Sequence, residues 1–272
     1  MDLVSVIIPT YNRSEFLVES ITSIWKQIYR PIEVLVIDDG STDDTKTKVN
    51  NLKDKFEKEN FKIIYKYQEN KGSNFARNFG MKIANGDWVQ FLDSDDLLEK
   101  NKFKIQLKAL AETNSDIAIC NFKILMSCGK ILFIQNNGDM LRRLSFGHSI
   151  MIATPLFKKK LLKNIHWNEK LYREQDKEFI YKAFLQSRKY VYVNSFLSTY
   201  RKHNKPNISN NYSKTPLQTF ENIKSDLSLI FSRDIKLNGY KNFLILIHIL
   251  YLMNKLLKRN LKYFLFRKYS LK

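Results

Sequence analysis

Three carboxylates fall within four residues at Asp93-Ser94-Asp95-Asp96, where the apolar run Trp88-Val89-Gln90-Phe91-Leu92 ends. Acids this close, with no lysine among them, repel one another and hold on to protons unless a cation neutralises them. Hard oxygen ligands of this kind suit Mg²⁺ or Mn²⁺, ions that keep one or two protein carboxylates and take phosphate oxygens from a substrate for the rest. An isolated Asp-x-Asp is equally well read as an acidic turn capping the next helix, and Asp96 is placed for that duty. Two further polar clusters, Pro9-Thr10-Tyr11-Asn12-Arg13 and Asp38-Asp39-Gly40-Ser41, also follow apolar runs. The acid run is therefore not isolated.

The apolar runs have the character of buried strands. Val4-Ser5-Val6-Ile7-Ile8 is short, β-branched and stopped by Pro9, and Ile32 to Ile37 is similar. Between them Leu17, Ile21, Ile24 and Ile28 recur at helical spacing, with Ser14 placed to cap the start. Val49, Leu52 and Phe56 line a second helix, Ile63 to Tyr67 forms a third strand, Ser73 to Ala84 a helix, and Trp88 to Leu92 a fourth strand. Alternating strands and helices imply a parallel sheet with right-handed crossovers, in which ligands bind beyond the carboxyl ends of the strands. The three polar clusters lie at those ends and converge on one rim.

After about residue 100 the pattern loosens. A helix over Asn101 to Glu112, a strand over Ile117 to Phe122, a hairpin through Gly129 and a helix over Asp176 to Leu185 suggest a mixed second half around the same sheet. From about Lys214 the chain becomes helical and basic. The predicted fold is thus α/β, a Rossmann-like, mostly parallel central sheet flanked by helices with a C-terminal helical extension. At 272 residues and 44% hydrophobic content the chain can bury a sizeable core. Its 46 Lys and Arg against 27 Asp and Glu give a net charge of +19, which implies an anionic partner: nucleic acid, a phospholipid face or a phosphorylated substrate. Cys120 and Cys128 have no metal-knuckle or redox spacing and read as ordinary thiols. Leu3 to Ile8 is too short for a signal peptide, so a cytoplasmic protein with unused sequons at Asn207 and Asn211 is expected.

Taken in order, five sets of residues resemble the family 2 glycosyltransferases, inverting enzymes of the glycosyltransferase A fold. They are Val4-Ser5-Val6-Ile7-Ile8-Pro9-Thr10-Tyr11-Asn12; Val36-Ile37-Asp38-Asp39-Gly40-Ser41-Thr42-Asp43; Asn70-Lys71-Gly72 with Ala76-Arg77-Asn78; Gly86-Asp87; and Phe91 to Asp96. The resemblance is specific over residues 3 to about 100, moderate to about 213 and absent beyond. It implies a nucleotide-sugar-binding half over 1–100 and an acceptor-binding half over 101–213; residues 214–272, beyond its reach, read from their charge and apolar spacing as a basic amphipathic helical extension. Carried over by position, it puts Pro9, Thr10, Tyr11 and the Asp38-Asp39 pair around the nucleoside. A carboxylate there would accept from a uracil imide N–H, and a tyrosine ring would stack on the base. Arg13 and Arg77 become candidates for the diphosphate or the base pocket, since the guanidinium fork suits phosphate oxygens. Asp95 falls to direct contact with the Mn²⁺ or Mg²⁺ ion, and Asp93 to ribose or water-mediated metal contact, with Ser94 between them in the nucleotide site.

The family places its catalytic base in a Glu-Asp pair before a helix. The matching stretch is Tyr172-Arg173-Glu174-Gln175-Asp176-Lys177-Glu178-Phe179, so Asp176 takes the base position and Gln175 replaces the usual glutamate; Glu174 and Glu178 stand as alternatives. Tyr200-Arg201-Lys202-His203 resembles the family's Tyr-Arg-x-His loop and makes His203 a candidate ligand for metal or phosphate. His248, on an apolar helix, is expected only to pack.

The resemblance implies a metal-dependent inverting glycosyltransferase that moves a sugar from a nucleotide-diphosphate donor, UDP-linked, to a glycan acceptor in bacterial-type surface polysaccharide synthesis. Residues 255–272 hold seven Lys and Arg and no acid, interleaved with Leu256, Leu257, Leu261, Phe264, Leu265 and Phe266. Such a tail suits an anionic membrane surface and with it a lipid-linked acceptor; packing on the core or on a second copy is the alternative. A sugar nucleotidyltransferase would need a glycine-rich basic loop after the first strand, which Pro9-Thr10-Tyr11-Asn12 does not supply. A non-catalytic module that binds nucleic acid or phospholipid has no use for acids at both the metal and base positions, so no nucleic-acid partner is expected.

Overall fold

The computed structural model describes residues 1–146, 148, 150–171, 174–203 and a helix over 239–269, with side chains of that helix described to residue 254. The described residues divide into two compact units. The first comprises 1–137, 150–169 and 187–204, and the second 138–149, 170–186 and the C-terminal helix.

In the first unit β1 (Val4–Thr10), β2 (Ile32–Asp38), β3 (Phe61–Tyr67) and β4 (Trp88–Phe91) pair in parallel, with Val4 opposite both Ile32 and Trp88. Their crossovers are α1 (Ser14–Trp25), α2 (Thr45–Phe56) and α3 (Ser73–Ile83). Every residue of β1 and β2 is buried, as expected for parallel strands covered on both faces. Val4, Val6 and Ile8 join a core with Leu17, Ile21, Ile24, Val49, Leu52 and Phe56. Burying side chains of this size contributes roughly 1.5–3 kcal/mol each. Ile7 points the other way, towards α3. There Gly80 is required, because a Cβ on it would lie 2.4 Å from Ile7 Cγ2.

The sheet then becomes mixed. Its order is β3-β2-β1-β4-β8-β6-β9-β5, with β7 on β6, where β5 is Leu97–Leu98, β6 Ile117–Leu125, β7 Ile131–Ile134, β8 Pro155–Lys158 and β9 Tyr190–Arg201. Antiparallel β8 joins β4 to β6, while β6 and β9 run parallel. α4 (Lys102–Thr113) packs on β6 and β9. Gly129 turns the predicted hairpin with φ +81°. Both cysteines are free, Cys120 buried and Cys128 exposed.

Two local expectations need correcting. Ile28 is not on α1: the helix ends at Trp25, the backbone of Ile28 donates to Lys100 O at 3.0 Å, and its side chain is 56% exposed. Ser14 does not cap α1 with its hydroxyl either. Its own N–H is taken by Asp43 Oδ2 at 3.1 Å, while Asp43 Oδ1 accepts from Thr45 N–H at 3.1 Å, so one carboxylate from the β2–α2 loop serves the start of both helices. Burial pushes the Asp43 carboxyl upward, but hydrogen bonds from Thr45 and Ser14 outweigh it and hold the group below its ordinary range.

The start of β4 is set by a buried acid. Glu33 accepts from Ser5 Oγ at 2.5 Å and from Asn85 N–H at 2.6 Å, and Ser5 Oγ accepts from Gly86 N–H at 2.8 Å. Gly86 must lack a side chain, since a Cβ would come within 2.6 Å of Leu3 O and Ser5 Oγ. The acid run begins just past the far end of this short strand.

Lys102 is fully buried on α4, its ammonium reaching Thr154 O at 3.1 Å and Cys120 Sγ at 3.5 Å. Burial pushes its pKa below the ordinary 10.5. Above that lowered value the unfolded chain holds this proton more tightly than the native one, so the contribution of Lys102 to stability rises with pH on the alkaline side up to about the unfolded pKa. Denaturant titrations of wild type and Lys102→Met across that range should show the stability difference between them shifting in favour of wild type as pH rises.

The second unit contains α5 (Met140–Ser145), α6 (Gln175–Gln186) and α7 (Gly239–Tyr269). As expected, His248 packs: it is buried, its Nδ1 lies 3.0 Å from Ser145 O and its ring 4.6 Å from that of Tyr181. Among the described residues no helix is long and apolar enough to cross a membrane.

Candidate active site

The carboxyl ends of β1, β2 and β4 bring most of the predicted residues onto one rim of the first unit. β1 ends in Thr10, whose carbonyl accepts from Asp39 N–H at 2.9 Å. The Thr10 hydroxyl is buried and has no hydrogen-bond partner among the described residues. Tyr11 follows with its ring half exposed, and Pro9 is buried within β1. Asn12 adopts φ +50° and uses its amide oxygen to accept from Thr42 N–H at 2.8 Å, which joins the β1 and β2 loops.

Asp38 and Asp39 are both buried and largely occupied. Asp38 accepts from Ser41 N–H at 2.8 Å and Tyr65 OH at 2.6 Å; Asp39 accepts from Gln68 Nε2 at 2.7 Å, Lys71 N–H at 2.9 Å and Gly72 N–H at 2.8 Å. A carboxylate offers about four acceptor positions. The pair therefore shapes the loops after β2 and β3 and keeps limited capacity for a ligand. Burial, followed by the Asp38 carboxylate, pushes the Tyr65 phenol well above its ordinary value, so it remains a donor.

Arg77, buried on α3, donates to Asp93 Oδ1 at 2.7 Å and to Ser73 Oγ at 3.2 Å, with its guanidinium 4.4 Å from the Trp167 ring centroid. This arrangement fixes Asp93 beside a planar cation.

Asp95 sits in a different company. Arg13 Nη1 lies 2.9 Å from Asp95 Oδ2 and 2.9 Å from His203 Nε2, and that nitrogen is itself 3.0 Å from Asp95 Oδ2. A guanidinium can only donate. If His203 Nε2 accepts from Arg13, it faces Asp95 lone pair to lone pair. If it carries a proton for Asp95, it opposes the Arg13 N–H. A cation between them satisfies both atoms at once, and that place is taken by Arg13 Nη1, which has an N–H for each. His203 Nδ1 is buried without a partner among the described residues, and Phe16 stacks on the ring at 4.6 Å, which fixes its plane. A carboxylate oxygen and an imidazole nitrogen converging on one cation are a donor set that fits a divalent ion. No group of three or more His, Cys, Asp or Glu that could hold a metal ion occurs among the described residues.

The acid loop is anchored by residues that the sequence patterns passed over. Arg201, at the end of β9, donates from Nε to Asp95 O and from Nη1 to Glu19, while its backbone N–H reaches Asp96 Oδ1 at 3.1 Å. Ser20 Oγ lies 2.8 Å from Ser94 O and 2.7 Å from Asp96 O. Ser94 itself is buried. Asp96 does not cap a helix, contrary to expectation, because β5 intervenes before α4 begins at Lys102. It is buried, with Oδ2 unpartnered among the described residues; burial, then Asp95 and Asp93, push its carboxyl well above the usual range. The only signal for Arg201 in the sequence is its place in Tyr200-Arg201-Lys202-His203.

Asp176 belongs to the second unit, in the first turn of α6, and is partly buried. Of its alternatives, Glu178 is buried and ion-paired with Lys182, and Glu174 adopts φ +57° just before the helix. His148 and His166 are exposed. Asn207 and Asn211, and the side chains of 255–272, lie outside the described residues.

The model of glycosyl transferase family 2 matches residues 5–198. The glycosyltransferase GlyG of Streptococcus pneumoniae is 30% identical over 219 residues, covering 74% of this chain and 71% of GlyG. An uncharacterized glycosyltransferase of Rickettsia bellii is 40% identical over 136 residues, half of this chain but only 19% of that protein. Among solved structures, Staphylococcus aureus TarS 1-349 in complex with UDP-GlcNAc superposes with a TM-score of 0.72 at 23% identity, over 90% of this chain and 70% of that one. A Pyrobaculum calidifontis mannosyltransferase in complex with GDP-Man and Mn²⁺ gives 0.64 at 18%, over 91% and 69%. At these identities the two structures speak for the fold, a glycosyltransferase A type α/β sheet. With most of its first 200 residues covered by the family model, and a relative of 30% identity along three quarters of its length, this chain belongs to glycosyl transferase family 2.

Proposed function

We propose that the protein transfers a sugar, with inversion, from a UDP-sugar to a hydroxyl of a glycan acceptor carried on a lipid, as a cytoplasmic step of surface polysaccharide synthesis. The observation that carries this reading is the convergence of Asp95 Oδ2 and His203 Nε2 on a single cation, Arg13, at 2.9 Å from each. Asp95 and His203 would hold a divalent ion, with Asp93 beside it, and the imidazole in the set favours Mn²⁺ over Mg²⁺. When bound, such an ion would neutralise the charge that develops on the departing nucleotide.

The remaining roles fall to the chain. Tyr11 offers its exposed ring to the base, the Thr10 hydroxyl and the spare acceptor capacity of Asp38 and Asp39 offer polar contacts, and Arg13 and Arg77 offer guanidinium groups to the diphosphate. Asp176 takes the proton from the acceptor hydroxyl as its oxygen bonds to the anomeric carbon. The bond from that carbon to the phosphate oxygen breaks on the opposite face, and its electron pair leaves with UDP. The likeness to TarS, solved with UDP-GlcNAc, supports a uridine donor.

The test is a panel of nucleotide sugars assayed for release of free nucleotide with Mn²⁺, with Mg²⁺ and with chelator. Metal-dependent release from UDP-sugars, enhanced by Mn²⁺, is expected. Release indifferent to chelator would overturn the metal reading, and preference for a GDP-sugar the uridine reading.

A further inference from the structure

The C-terminal helix α7 is apolar on two opposite faces. Leu244, Ile245, His248, Ile249 and Leu252 are buried, whereas Phe243, Leu246, Leu250 and Met253 are 57, 53, 55 and 47% exposed. At 3.6 residues per turn the four exposed side chains fall within an arc of about 80°, roughly opposite the buried set. The helix of a water-soluble surface normally turns polar residues outward, and one that is apolar all round has a second environment to meet. That environment is not the bilayer interior, since no described helix is long and apolar enough to cross it.

Charge selects among the remaining occupants. From Gly239 to Lys272 the sequence carries eight Lys and Arg and no Asp or Glu. Seven of the eight lie between Lys255 and Lys272, so pairing this helix in parallel with the same helix of a second copy would bring two basic segments together. Nucleic acid would answer the charge but leave the apolar stripe without a partner. An anionic lipid surface answers both, because the stripe can sink into the headgroup boundary while basic side chains meet lipid phosphates.

We propose that the outer stripe of α7, Phe243-Leu246-Leu250-Met253, is a membrane-interface face that lies in the plane of an anionic lipid surface. This deepens the lipid-linked part of the proposed function, and it can be read without any sugar nucleotide, so its failure leaves the transfer reaction untouched.

The experiment is flotation of the full chain with phosphatidylcholine vesicles that contain or lack phosphatidylglycerol. Wild type should float with the anionic vesicles, less so at high salt. Leu246→Ser/Leu250→Ser should partition at least tenfold more weakly, equivalent to about 1.4 kcal/mol, with an unchanged thermal melt because both residues face outward. Should that variant fail to fold, Leu246→Trp carries the test: its emission should shift to the blue and be quenched by brominated lipid only after anionic vesicles are added, above the background of Trp25, Trp88 and Trp167. Absence of wild-type flotation, or equal flotation of a folded double variant, overturns the proposal. So does a Leu246→Trp emission already blue-shifted without lipid together with a dimer in sedimentation velocity, which would give the stripe to a second copy.

Discussion

Asp95→Ala is expected to abolish the Mn²⁺-dependent part of UDP binding and to lower kcat/KM on the order of 10³-fold, the scale of several kcal/mol that a bound cation contributes to a leaving diphosphate. The side chain is one half of the donor pair and lies at the solvent rim, 20% exposed. Its removal leaves the backbone anchor intact, because Arg201 and Ser20 hold the loop through main-chain oxygens of Ser94, Asp95 and Asp96. The melting temperature should therefore change little. Calorimetry of UDP with and without Mn²⁺ measures the binding, and circular dichroism the fold. An affinity for UDP that still rises with Mn²⁺ in the variant would remove Asp95 from the site. Arg13 needs watching as well: deprived of Asp95, it could pair with the diphosphate directly and leave a metal-independent residue of affinity.

Asp176→Asn separates chemistry from binding. The amide keeps the shape of the carboxylate but cannot take a proton, so turnover should fall about 10²–10⁴-fold while donor affinity is nearly unchanged. Glu178→Gln is expected to act differently. Its carboxylate is 4% exposed and paired with Lys182, so the variant should melt at a lower temperature, for loss of a buried ion pair, with its chemistry retained. Glu174→Gln should be close to wild type in both respects. A dead Glu174→Gln beside an active Asp176→Asn would move the base by two residues.

The parts of the fold that announce themselves in the sequence are those written as uninterrupted apolar runs or helical periodicities. β1, β2, β4 and α1 to α4 are of this kind, since parallel strands buried on both faces have no polar alternation to confuse with anything else, whereas the edge strand β3 carries exposed Lys62 and Lys66. β5, two residues long, and β8, four, are too short to carry a pattern, and their antiparallel partners are chosen by tertiary packing. The acids of the site are visible because like charges in a row demand an explanation. Their supports are not. Arg201 reaches the backbone oxygens of Asp95 and Phe16, and Glu33 holds β4 through Ser5, Asn85 and Gly86; neither use leaves a residue-type signature at the places served. Asp43 looks like a loop acid and serves two helix starts, while Asp38 and Asp39 look like ligand-binding acids and spend most of their capacity on their own loops.

The encounter of Arg13, Asp95 and His203 also bears on when the site comes into being. The three pairs span 82, 108 and 190 residues of chain. Contacts this remote form late, because the entropy of closing long loops is met before they return anything. A growing chain can assemble β1 to β4 around short crossovers, yet it lacks the imidazole until β9 is made and docked. Until then its acids meet cations singly and weakly. If Asp95 and His203 hold the ion as proposed, its tight capture would be reserved for chains that have finished folding.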